Sequence, residues 1–432
     1  MSRVSVMTTA LPRRTSYAEI LPYAPDRTVA TVDLSDNTNR WGLAPAAARA
    51  LRSAADESIT RYPDVYAQPL KEALAGYVGV DPAMIVTGCG SDDVLDAAMR
   101  ALAEPGARVA IPDPSFAMVA TFARMNGLVP VLVPLTATYD LDADAMHACW
   151  PSIAYVCSPN NPTGTPVSRA AVEALASRSD LVVIVDEAYA EFAGGHLLDL
   201  ACRSANILVV RTLSKAFGLA GLRVGYAVGA PLLVAEVEKA RGPYKVNALA
   251  AAAAVAALRE DLPWVRQHIA LAVAHRERLC RELRSRRLPA IQSEANFVFV
   301  PMAQAQLIAS AMRARGVAVR AFHGLPPVSP AHCVRQAIPT PHLVLRSPQF
   351  KAHSRRAWGL IVRRHPYRIV ENAGDGRPPR FLGNPPDGSP GSWTPVGPTC
   401  QAIRHADAAP ACVYNEGSQR EGFRGSMSRL SV

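Results

Sequence analysis

Apolar and polar positions along the chain follow two rhythms, a period near 3.6 residues and short unbroken apolar runs. Helix-period segments fall at 46–58, 69–77, 92–103, 169–177, 264–287 and 303–313. In the longest of these, Val265, Ile269, Ala272, Leu279 and Leu283 share one stripe, and charged residues crowd its far end. Apolar runs at 108–111, 128–134, 153–157, 181–185, 207–210, 296–300 and 317–320 predict strands. The run 153–157 is closed by Ser-Pro-Asn-Asn-Pro, a strong stop signal. The run 181–185 contains only Leu, Val and Ile, the composition of a strand buried on both faces. Strands spaced by helices predict an α/β fold, a mainly parallel sheet with helices on both sides. No internal repeat is present. From about Leu343 the periodicity fades into text such as RPPRFLGNPPDGSPGSWTPVGP, which cannot readily bury enough apolar surface to offset its ordering entropy.

Composition sharpens that division. The 432 residues suffice for two or three folded units, and 49% of them are apolar, enough for a large core. The net charge of +10 invites a polyanion partner, but its position argues otherwise. Residues 1–341 hold 33 Lys and Arg against 30 Asp and Glu, while 342–432 hold 13 against 6, with 10 Pro and 10 Gly. A near-neutral body therefore carries a basic tail, and no nucleic-acid partner is expected of the body. The eight cysteines form no C-x-x-C pair and have no accompanying His cluster, against a zinc site or a disulfide framework. The first residues lack the apolar run of a signal peptide, and no stretch of 18 apolar residues could span a bilayer. No membrane partner and a reducing cytoplasm are expected.

Four stretches carry candidate chemistry. Arg211-Thr-Leu-Ser-Lys215 follows an apolar run, with Arg223 eight residues beyond the lysine. Such a lysine suits Schiff-base formation with a phosphate-bearing aldehyde, with Thr212, Ser214 and Arg223 on the phosphate. A surface lysine in a Gly-rich loop is the bland alternative. Asp186 ends another apolar run, where it could pair with a protonated pyridine nitrogen, and Tyr189 lies three residues on. A helix-capping Asp beside a packed Tyr would look the same. Ser158-Pro-Asn160-Asn161-Pro162-Thr-Gly164 could equally be a plain turn. Thr87-Gly88-Cys-Gly90-Ser91-Asp92-Asp93 opens a helix-period segment, a phosphate-binding start or an ordinary N-cap.

Taken together and in this order, the stretches resemble the fold-type I pyridoxal-phosphate (PLP) aminotransferases, and most closely the histidinol-phosphate aminotransferase family. The residues that carry the resemblance are RYPD at 61–64, the GSDD helix start, PDPSF at 112–116, NNPTG at 160–164, VDEAY at 185–189 and RTLSKAFGLAGLRVGY at 211–226. GPYKVN at 242–247, ANFVFV at 295–300, GVAVRAF at 316–322 and CVRQAIPTP at 333–341 add to it. The match covers roughly 17–341. It implies an N-terminal arm (1–40), a large PLP-binding domain with a mainly parallel seven-stranded sheet (41–262) and a smaller α/β C-terminal domain (263–341). The tail, 342–432, lies outside it. The resemblance implies that Lys215 binds PLP covalently and later acts as the base. Asp186 would hold the pyridine nitrogen, with Asn161 and Tyr189 on the ring oxygen and Phe116 stacked on the ring. Ser91, Asp92, Thr212, Ser214 and Arg223 would bind the phosphate, and Tyr62 would reach the phosphate of a partner subunit in a homodimer. No metal is implied.

The amino donor and the 2-oxo acid acceptor would alternate on the enzyme. By the same resemblance, Arg335 binds the α-carboxylate of the acid substrate and Arg320 the distal phosphate or carboxylate. Tyr23, Tyr244 and Asn247 would lie near the substrate phosphate. Asn37 sits in Asp-Asn-Thr-Asn-Arg-Trp, where the family usually has Asn-Glu-Asn-Pro in a loop lining the substrate pocket. Histidinol phosphate is the implied donor, and an aromatic amino-acid transaminase or an impaired PLP-binding protein with an interaction tail are the alternatives. Past Pro339 the family's final helix pattern is missing. Out-of-frame text from a GC-rich gene, a disordered basic tail and a nucleic-acid module all remain open, though RRHPYR at 363–368 falls short of a recognisable binding motif.

Overall fold

In the computed structural model, which describes residues 14–18, 20–23, 29–302, 304–325 and 340–346, the unbroken apolar runs become the centre of a sheet. Eleven strands occur among the described residues. They are β1 Val32–Leu34, β2 Ile85–Cys89, β3 Arg108–Asp113, β4 Val129–Pro134, β5 Ile153–Cys157, β6 Val182–Asp186, β7 Ile207–Thr212, β8 Val224–Gly229, β9 Phe297–Pro301, β10 Val317–Leu325 and β11 Thr340–Arg346. Seven form one sheet in the order β2-β8-β7-β6-β5-β3-β4. The neighbours from β4 through β7 run parallel, while β8 is antiparallel to both β2 and β7.

Alternate residues of the central strands enter opposite cores, as strand geometry requires. Val183, Val185, Ile207 and Val209 pack on one side, and Ile184, Leu208 and Val210 on the other. Every residue of β5, β7 and β8 is buried, so helices cover both faces. Each such Val, Ile or Leu contributes roughly 1.5–3 kcal/mol of transfer free energy. The parallel arrangement also brings the carboxyl ends of β5, β6 and β7 to one edge, where open α/β sheets bind ligands.

The second sheet, β1-β10-β11-β9, has four strands, with β1 parallel to β10 and β11 antiparallel between β10 and β9. Its core joins Val298, Val300, Val317 and Val319 to Leu279 and Leu283 of the helix Leu262–Ser285. β11 runs through Arg346, so the regular chain extends five residues past the boundary expected at Pro341. The rest of the tail and Arg335 lie outside the described residues.

Two expected helices differ. The segment 46–58 is broken into Pro45–Arg52 and Glu57–Thr60. The first of these starts on a remote cap, because Asp261 accepts hydrogen bonds from the backbone N–H groups of Ala46 (2.9 and 3.0 Å) and Ala47 (3.1 Å). It ends at Ser53, whose hydroxyl bonds back to the Arg49 carbonyl. On the long helix the stripe holds at Val265, Ala272, Leu279 and Leu283, but Ile269 is only half-buried and Arg276 is buried beside them. Arg276 donates to the Phe192 and Ala295 carbonyls, each at 3.0 Å.

Candidate active site

Three strand ends build one wall of a cavity of about 1250 Å³. Cys157 ends β5, Asp186 ends β6 and Thr212 ends β7, and all three line it. Register pairs Cys157 with Asp186 across β5 and β6. Asp186 is buried and accepts hydrogen bonds from the Tyr155 hydroxyl (2.8 Å) and the Ala188 backbone N–H (3.1 Å). Burial pushes its carboxyl up to about 6, and the two donors pull it back only in part. Burial and the Asp186 charge push the Cys157 thiol far up.

A second wall forms where the helix Ser91–Leu102 meets β8. Gly90 precedes this helix with φ +82°, and Ser91 and Asp92 present its N-terminus to the cavity. Thr212 donates to the Ser214 hydroxyl at 2.9 Å, and both side chains are buried. Arg223 adopts a left-handed conformation, φ +54°, which costs a non-glycine residue about 1 kcal/mol. Its guanidinium turns back over Gly90, reaching Ser214 Oγ (3.5 Å) and Asp92 (3.3 Å). A Cβ on Gly90 would lie 2.4 Å from that guanidinium, and one on Gly225 only 2.2 Å from the Ser91 backbone nitrogen. Helix N-terminus, two hydroxyls and guanidinium thus converge in an arrangement that could hold a phosphate.

Lys215, Tyr189, Asn161 and Phe116 line the same cavity. The Lys215 ammonium lies 5.8 Å from the centre of the Tyr189 ring. Asn37 donates its amide to the Tyr189 oxygen at 2.6 Å, which fixes the phenol at the edge of the cavity. A buried carboxylate, a phosphate cradle, a phenol and a lysine in one cavity are the groups that a phosphate-bearing pyridine aldehyde requires. They therefore fit it.

The remaining expected residues divide. Tyr23 and Arg320 line the cavity on the side of β10, joined by Arg40, which replaces the family's Pro and pairs with Asp33 at 3.1 Å. Arg313, at the end of the helix Ala305–Arg313, lines the cavity too and carried no motif in the sequence. Asn37 is buried behind Tyr189 rather than on the cavity wall. Tyr62 and Tyr244 stack on each other at 4.9 Å, exposed and away from the cavity. Asn247 caps the helix Ala248–Glu260, its side chain accepting from Ala250 N–H at 2.9 Å.

Sequence inspection also missed the support beneath the site. Glu187, next to Asp186, forms a buried ion pair with Arg211, next to Thr212, at 2.7 and 2.9 Å. The Glu187 backbone N–H bonds to the Val210 carbonyl at 2.8 Å, so the ends of β6 and β7 are tied twice. The adjacency of Arg211 to Thr212 and of Glu187 to Asp186 was a usable signal, but only once the two strands were known to be neighbours.

The family model "Aminotransferase class I and II" matches residues 30–339. The chain is 38% identical over 271 residues to a histidinol-phosphate aminotransferase of Thermoanaerobacter pseudethanolicus, covering 61% of this chain and 76% of that one. It is 40% identical over 294 residues to a histidinol-phosphate aminotransferase of Methylibium petroleiphilum, covering 66% and 78%. The histidinol-phosphate aminotransferase of Sinorhizobium meliloti, solved in complex with pyridoxal-5'-phosphate, superposes with a TM-score of 0.64 at 27% identity, covering 74% and 88%. An aspartate aminotransferase of Thermus thermophilus with maleate shares the fold at a TM-score of 0.65 and 23% identity, covering 78% and 92%.

Proposed function

The chain belongs to the class I and II aminotransferases and uses PLP, and on that premise we propose that its amino donor is histidinol phosphate and its acceptor a 2-oxo acid such as 2-oxoglutarate. The observation that carries the site assignment is a single cavity in which Lys215 faces Asp186, Tyr189 and the Ser91–Thr212–Ser214–Arg223 cradle. PLP, when bound, supplies an aldehyde that captures the amino group and a ring that takes up charge as the substrate Cα loses its proton.

The residues of the chain do the rest. Backbone N–H groups of Ser91 and Asp92, the Thr212 and Ser214 hydroxyls and the Arg223 guanidinium would hold the phosphate. Asp186 would hold a proton on the pyridine nitrogen, and Tyr189 with Asn161 would bond the ring oxygen. Phe116 would pack against the ring and exclude water. The Lys215 amine would take the proton from the substrate Cα, contributing roughly 10²–10⁴-fold as a general base. Two substrates alternating at one site give ping-pong kinetics.

The donor assignment is supported by relatives named for histidinol phosphate and by Arg320 and Arg313 on the same cavity as Lys215, suited to an anionic donor. Half-reaction rates with histidinol phosphate against phenylalanine test it. Faster turnover of phenylalanine would move the assignment to an aromatic amino-acid transaminase. A homodimer goes with this assignment. Tyr62 is 84% exposed, and a groove of about 510 Å³ beside it is lined by Pro63, Asp64, Ala67, Val255 and Ala256. Light scattering of the purified chain reads the assembly directly. A cytoplasmic location also goes with it. Among the described residues all five cysteines are free, and no helix is long and apolar enough to cross a membrane.

A further inference from the structure

We propose that Tyr155 is a positioning residue for the cofactor, its hydroxyl holding Asp186 in the orientation and ionised state that face the pyridine nitrogen. This inference rests on the PLP assignment. Tyr155 is the middle residue of β5, in a run otherwise made of Ile, Ala, Val and Cys. It is fully buried, with helices on both sides of the sheet. A phenylalanine would fill the same space without a polar atom to satisfy, whereas a buried hydroxyl is costly unless it is bonded. The Tyr155 hydroxyl is bonded, and its acceptor is Asp186 at 2.8 Å.

The kind of donor matters. Lys215 lines the same cavity and its charge acts on Asp186 through space, but the groups in hydrogen-bond contact with the carboxylate are the Tyr155 hydroxyl and the Ala188 N–H. An arginine at position 155 would neutralise the carboxylate and compete with a protonated pyridine for it. A phenol donates one hydrogen bond and leaves the negative charge in place. Its own ionisation is suppressed by burial and by the neighbouring carboxylate, so it remains a donor. The Ala188 N–H fixes the other carboxylate oxygen at 3.1 Å. With one donor on each oxygen the carboxylate cannot rotate freely, and Asp186 still lines the cavity.

The test compares two ligands in apo protein of the full chain, PLP and its 1-deaza analogue, in which carbon replaces the pyridine nitrogen. Tyr155→Phe is expected to weaken PLP binding roughly 10- to 100-fold, the effect of losing a hydrogen bond to a charged group, and to leave the analogue within about threefold. Asp186→Asn is expected to show the same selective loss, and adding Tyr155→Phe to it is expected to cost nothing further. Equal losses for both ligands, no loss for PLP, or a variant that no longer folds would assign the hydroxyl a general structural role and overturn the inference. Wild-type protein that binds neither ligand would overturn the cofactor assignment itself, a separate failure that takes the inference with it.

Discussion

Gly225→Ala tests the phosphate cradle with a single methyl group. The added Cβ would lie 2.2 Å from the Ser91 backbone nitrogen, 2.3 Å from the Gly90 carbonyl carbon and 2.7 Å from the Gly90 oxygen. Ordinary contact begins near 3.4 Å, so the helix N-terminus and β8 must separate by about 1.2 Å. The atoms met are backbone, and no side-chain rotation relieves the clash. Overpacking of this kind costs about 1–3 kcal/mol in stability. The larger effect falls on the ligand, because Ser91 and Asp92 N–H groups move away from the phosphate. Loss of one or two charge-assisted hydrogen bonds at about 1.5–3 kcal/mol each weakens PLP at least tenfold and up to roughly 10⁴-fold. The assay is titration of apo protein with PLP, followed by absorbance, with the apo melting temperature measured in parallel. Gly221→Ala is the control, since its Cβ meets nothing within 4 Å. Gly225→Ala protein that binds PLP as tightly as wild type would refute the placement of the phosphate against this helix.

Three further outcomes follow from the geometry. Asp186 is an acid whose folded pKa, about 6, lies above its unfolded value, so the apo protein binds an extra proton between roughly pH 4 and 6. Its contribution to stability is present at low pH and lost as pH rises through that window, on the order of 3 kcal/mol. Denaturant midpoints of apo wild type minus apo Asp186→Asn should therefore fall across pH 4–6, and a flat difference would contradict the burial of this carboxyl. Arg211→Met leaves Glu187 buried without its cation and should cost about 3–5 kcal/mol in unfolding free energy, read by denaturant titration; a loss below 1 kcal/mol would mean that the pair is not buried as described. Lys215→Ala should lower the half-reaction rate by at least roughly 10²-fold while leaving the apo melting temperature within a few degrees.

The fold was legible where one property of the chain decides the structure. β5, β6 and β7 are built on the apolar runs 153–157, 181–185 and 207–210, and such a run has one home in an α/β protein, the doubly covered centre of the sheet. The site was legible because its residues follow those strands directly: Asp186 closes β6, and Lys215 lies three residues after β7. Less legible were elements whose partner is remote in sequence. β8, Val-Gly-Tyr-Ala-Val-Gly, carries two glycines and no clear period, and it is fixed by pairing with β2 and β7 on either side. The three-residue β1 owes its existence to β10, nearly 300 positions away. Arg276 sits on an apolar stripe because carbonyls at Phe192 and Ala295 need a donor there. Tyr155 read as one more apolar strand residue, since its acceptor is on the neighbouring strand. Asn37 read as a pocket residue, and its bond to Tyr189 spans 152 positions.

The most direct test of the account is where the cofactor attaches. The full chain, loaded with PLP and reduced with borohydride, should carry a pyridoxyl group on the peptide that contains Lys215, and histidinol phosphate added before reduction should prevent that labelling. Peptide mass mapping that places the group on another lysine, or finds none, would contradict the assignment of the site and the mechanism built on it.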